Sequence, residues 1–120
     1  MKRRKLILTT LAAVVALAVV VNGMLARQEM RRARESVLKQ DLYHLRQVIH
    51  EYTADKQRRP ASLQELVVAG YMKRVPKDPI TKKDNMWVVE LSSDPKLPGV
   101  VDVHSGSHEK SSNGDPYSAW

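Results

Sequence analysis

Five oxygen-bearing side chains crowd the end of the chain: Asp102, Ser105, Ser107, Glu109 and Asp115. Calcium takes roughly six to eight hard oxygen ligands in flexible geometry, so that ion could order a loop of this composition. Calcium is therefore the candidate cofactor, with Asp102, Ser105 and Asp115 as its expected ligands. The spacing is not that of a compact calcium loop, and solvated polar residues on a surface segment are the competing reading.

The histidines are weaker candidates. His44 and His50 lie six residues apart, about 600° of helical turn, and so share no ligand face. His104 and His108 are four apart, but across a strand end and a Gly-Ser loop, where that spacing sets no zinc geometry. A Ser-His-Asp set can be drawn from Ser105, His108 and Asp115, yet no nucleophile elbow or glycine-rich oxyanion loop accompanies it. No phosphate loop or dinucleotide fingerprint is present. The chain has no cysteine, which excludes disulfides, thiolate zinc sites and thiol nucleophiles. It reads as a non-enzyme.

These residues need elements to position them. Val37, Leu38, Leu42, Leu45, Val48, Ile49 and Tyr52 recur at steps of three and four, one face of an amphipathic helix. Nothing stops that helix before Lys56, so residues 27–55 read as its wet half. A lone helix gains little in water, and this face requires a partner sheet. After a polar break at residues 56–60, Ser62-Leu63-Gln64-Glu65 forms a capping box that opens a short helix. That helix turns Leu63, Leu66 and Val67 inward, and Gly70 ends it. Residues 86–91 (MWVVEL) and 100–104 (VVDVH) read as two strands, and the turn-rich segment between them makes an antiparallel hairpin. Val101 and Val103 are expected on one side, Asp102 and His104 on the other. The Gly- and Ser-rich end carries Tyr117 and Trp120, and a tryptophan is costly to leave in water, so this end should fold back and dock. The fold class is α+β: a long N-terminal helix on a small antiparallel sheet, with residues 56–120 as the head.

Residues 6–26 contain no charge and follow Lys2-Arg3-Arg4-Lys5. At ~1.5 Å per residue, twenty-one residues just cross a hydrocarbon core ~30 Å thick. A cleavable secretory signal is the rival, but its apolar centre is usually shorter, about 7–15 residues, and Met24-Leu25-Ala26 is a poor cleavage site. A retained single-pass anchor is expected, with residues 1–5 as a basic cytoplasmic start. The net charge is +7, with eight basic and two acidic residues in 1–35 against twelve and eleven in 36–120. The excess thus flanks the span, where lipid head groups attract it. The head lacks a basic stripe, so nucleic acid is excluded as a partner and membrane lipid is retained.

The run from Asp41-Leu42-Tyr43 through Val48-Ile49 leads on to Tyr52-Thr53-Ala54-Asp55-Lys56. Then follow Pro60-x-Ser62-Leu63-x-x-Leu66-Val67-x-x-Gly70-Tyr71 and Val75-Pro76-Lys77-Asp78-Pro79-x-Thr81. This resembles the major (G-type) pseudopilins of type II secretion, in the type IV pilin superfamily. Val101-Asp102-Val103-His104-Ser105-Gly106-Ser107, with Asn113-Gly114-Asp115-Pro116-Tyr117 and Trp120, is similar to the C-terminal strand and loop of the same family. The resemblance covers roughly residues 33–120, and the Gly-Tyr-x-x-x-x-Pro-Lys-Asp-Pro segment is its most specific part.

The resemblance implies a single-pass protein of the inner membrane with its head in the periplasm. It implies self-association with other pseudopilins through the N-terminal helix into a pseudopilus, and contact with the inner-membrane secretion platform. Calcium-binding members of the family hold more acids in the C-terminal loop than this chain; at the matching places Asp102 and Asp115 remain, and His108 stands where an aspartate is common. The N-terminal junction departs as well. The family is cut after a Gly that precedes Phe-Thr-Leu-Ile-Glu, whereas this chain reads Arg4-Lys5-Leu6-Ile7-Leu8-Thr9-Thr10, with neither the Gly nor the Glu. The alternative reading is therefore a permanently anchored periplasmic adaptor that keeps the head and does not polymerise.

Overall fold

A computed structural model describes residues 1–120. Helix α1 runs Lys2–Lys56 without a break, through Asn22 and Gly23, and stops where Gln57 turns to a positive φ of 56°. The chain divides into two compact units, Met1–Ala33 and Arg34–Trp120. In the first, residues 6–26 are exposed throughout. This stretch is long and apolar enough to cross a membrane once.

The second unit contains every buried side chain. From α1 come Leu38, Leu42, Leu45, Val48, Ile49 and Tyr52, the apolar stripe read from the sequence. Each fully buried leucine contributes ~1.5–3 kcal/mol by leaving water. Val37 corrects that reading, since it is 46% exposed. At 3.6 residues per turn it points ~100° away from Leu38, past the edge of the stripe. Glu35 lies inside the stripe instead and is buried.

Helix α2 spans Leu63–Val68, and its ends follow their local code. The Ser62 hydroxyl accepts from the Glu65 amide at 3.2 Å, and Glu65 Oε2 accepts from the Ala61 amide at 2.6 Å. The return bond thus reaches one residue further back than in the usual box. At the far end Gly70 takes φ +84°. Its amide donates to the Val67 oxygen, and the Tyr71 amide to the Leu66 oxygen. That pair of bonds is the Schellman stop for which a glycine is suited.

Strands β1 (Val88–Leu91) and β2 (Val100–His104) form a two-stranded antiparallel sheet against α1. β1 is shorter than the expected 86–91: its ladder ends at the Val88–His104 pair, and Met86 and Trp87 lie outside it. Trp87 is anchored otherwise, its indole nitrogen donating to the Pro76 oxygen at 2.7 Å. Gly106 passes so close to Met86 that an added Cβ would lie 1.8 Å from its carbonyl oxygen. The strict alternation expected in β2 is also corrected. Glu90 pairs with Asp102 and Leu91 with Val100, so Val101 is an extra residue. Such a bulge shifts the facing pattern by one, and Val100 and Val103 are the fully buried pair while Val101 is half-buried. The C-terminal segment docks as expected. It makes a bridge between Lys110 and Pro116 and a 3-10 turn over Tyr117–Ala119. Tyr117 is buried and Trp120 packs on the core.

Candidate functional site on helix, hairpin and C-terminal segment

One polar cluster joins three elements of the second unit. Arg46 projects from α1 and donates from Nε to Asp102 Oδ1 at 2.7 Å. Its Nη2 donates to the main-chain oxygens of Val103 (2.9 Å) and Trp120 (3.0 Å). The planar guanidinium carries several donors in a fixed fork, which suits it to bind strand and tail at once. Burial pushes the Asp102 carboxyl up, but the Val103 amide and the Arg46 guanidinium outweigh it and hold the group below its ordinary value. His104 Nδ1 meets the Trp120 oxygen at 2.6 Å, and Nε2 faces Glu90 at 3.3 Å and Asp102 at 3.7 Å.

Glu90, Asp102 and His104 bring two carboxylates and an imidazole within 4.8 Å of one another. Those are metal-ligand types, but they supply too few oxygens for calcium on their own, which takes roughly six to eight. The Arg46 guanidinium already neutralises Asp102 from the helix side. Of the sequence-derived ligands, Asp102 belongs to this cluster. Ser105 lies on the opposite, buried side of the strand and donates to Asp78 Oδ2 at 2.5 Å. Asp115 stands exposed in the following turn, where its main chain bonds Ser111 and Asn113. Ser107 is buried and accepts from the Glu109 amide. His44, His50 and His108 are exposed, and the Ser105 hydroxyl is committed to Asp78, so Ser105 and His108 make no nucleophile–base pair.

Two carboxylates that the sequence reading passed over hold the loops. Asp78 is fully buried. Besides Ser105 it accepts from the Ile80 amide at 2.8 Å and so closes its own turn. Glu35 accepts from the Ser112 amide (2.7 Å), the Ser112 hydroxyl (2.6 Å) and the Tyr117 hydroxyl (2.8 Å). A signal for Glu35 existed: a charged residue three before Leu38 and seven before Leu42 falls within the apolar stripe, and a buried carboxylate requires partners. Above it, Trp120 packs edge-on to Tyr117 with ring centres 5.3 Å apart, and Lys39 Nζ sits 5.0 Å over the indole. These contacts tie helix, strand and tail together. Comparison with protein-family models, curated proteins and solved structures finds no match.

Proposed function

We propose that this chain is a non-enzymatic, pseudopilin-like structural subunit of a type II protein secretion system. It is anchored in the inner membrane by residues 6–26, with its head in the periplasm. The observation that carries this reading is the bare apolar first half of α1, none of whose candidate membrane window is buried, in the same helix that supports the head. Such a surface is stable only in lipid or against equivalent helices, and packing between helices can replace lipid when a subunit leaves the bilayer. The charge-free span and the head's resemblance to pseudopilins from Pro60 to Thr81 support the same reading.

The alternative, a permanently anchored periplasmic adaptor, is favoured by one observation. The Thr10 hydroxyl, at the nearest match to the family's assembly glutamate, donates to the Leu6 and Ile7 carbonyls of its own helix. It carries no charge to offer a neighbouring amino terminus. Mass spectrometry of the mature N-terminus from membranes separates the two. Loss of Met1 to Lys5 with an N-methylated Leu6, together with cross-linked ladders beyond a dimer, is expected for a filament subunit. An intact start without ladders assigns the chain to the adaptor reading.

A further inference from the structure

β1 pairs with β2 on one side, and no other main-chain group bonds to residues 88–91. An open strand edge is a template for another chain, and lysine or proline commonly blunts it. β1, Val-Val-Glu-Leu, has neither; it is short, and its one charge, Glu90, faces His104 of β2. Beside it runs a groove of about 600 Å³. Its apolar wall comes from Leu63 and Val67 of α2, Val75, and Trp87 and Val89. Side chains alternate along a strand, so Val89 turns toward this groove while Val88 and Glu90 are exposed. Lys73, Arg74 and Asp84 stand at the rim. Neither cation forms an ion pair within the chain.

We infer that β1 and this groove form a docking site for an extended peptide segment of another protein. The segment adds as a strand to the β1 edge, places alternate apolar side chains in the groove, and sets an acidic side chain against Lys73 and Arg74. Main-chain bonds supply affinity in this mode, and the alternating pockets supply selectivity. Lys73 and Arg74 outnumber the single acid of the lining, Asp84, and this positive balance favours an acidic partner. A second copy of the chain suits the edge poorly, because four residues span only ~13 Å and a stable dimer needs on the order of 1,200 Å² of buried surface. The inference is independent of what α1 assembles with.

The test uses the full chain in detergent micelles, panned against a phage library of short random peptides. Enrichment of sequences that alternate apolar residues and carry an Asp or Glu is expected. The enriched peptide, added to isotopically labelled full chain, should shift the amide signals of Val88, Val89, Glu90 and Leu91 and slow their hydrogen exchange. Arg74→Glu, at an exposed position, should weaken binding about tenfold, the scale of a lost charge-assisted contact. Val67→Trp, which fills the groove, should abolish it. Failure to enrich any peptide overturns the proposal, as does a peptide that moves only signals elsewhere or that binds Arg74→Glu equally well. Shifts at β1 on concentrating the chain alone also overturn it and give the edge to a second copy.

Discussion

Glu35 accepts hydrogen bonds from residues 77 and 82 positions further along the chain, and the fate of the whole C-terminal segment turns on it. Replacing it by alanine leaves the buried Tyr117 hydroxyl without its acceptor, and releases the exposed Ser112 donors from the helix to water. A buried donor that loses its partner forfeits its desolvation as well as the bond. Glu35→Ala is expected to destabilise the head by about 2–4 kcal/mol in urea unfolding, and Tyr117→Phe, which removes one bond, by about 1 kcal/mol. Hydrogen exchange at residues 111–120 should quicken in both variants before the rest of the head responds. Unchanged protection there contradicts the clamp. Asp78 and Ser105 follow the same logic, since each is fully buried and each satisfies the other.

At the scale of elements, the junction between α1 and α2 is governed by a single carboxylate. Glu65 accepts from the Ala61 amide, the Tyr52 hydroxyl and Arg58 Nη1, which together hold its pKa at about 2. An unfolded chain returns that group to ~4.3. The folded value lies below the unfolded one, so the contribution is complete above about pH 4.5 and disappears as the pH falls toward about 2. The thermal midpoint is expected to drop through that window, and Glu65→Gln should flatten this part of the profile. An unaltered slope in the variant counts against the role of the carboxylate. Tyr52 adds to the same junction by packing edge-on against Tyr71, ring centres 5.2 Å apart, while the Tyr71 hydroxyl donates to Asp55 at 2.8 Å. Helix end, connector and α2 are therefore expected to unfold together.

For the molecule as a whole, the two units differ in what stabilises them. Met1–Ala33 has no buried side chain, while Arg34–Trp120 contains the entire core. A domain of under ninety residues is near the lower range for independent folding, but this one closes its polar network, with no buried side-chain nitrogen or oxygen left unbonded. Residues 34–120 expressed alone are expected to unfold cooperatively in aqueous buffer, followed by circular dichroism. The full chain should require detergent or lipid. Aggregation of the isolated segment, or a transition without cooperativity, shows that the head depends on the span.

Much of this fold is written in local patterns. The stripe of Leu38, Leu42, Leu45 and Ile49 is periodic, and periodicity alone makes it one face of a helix. Ser62, Glu65 and Gly70 specify both ends of α2 through atoms only a few residues apart. The charge-free run at residues 6–26 is likewise a property of composition and length. The polar pairs are of another kind. Glu35 with Tyr117, Asp78 with Ser105 and Arg46 with Asp102 lie 82, 27 and 56 positions apart, and no spacing rule links them. The bulge at Val101 decided which faces of β2 were buried, whereas the places of Glu35 and Val37 were already legible in the helical period. Tertiary structure settled the polar pairs and the bulge because a hydrogen bond depends on distance in space, whereas a helix or a cap depends on distance along the chain.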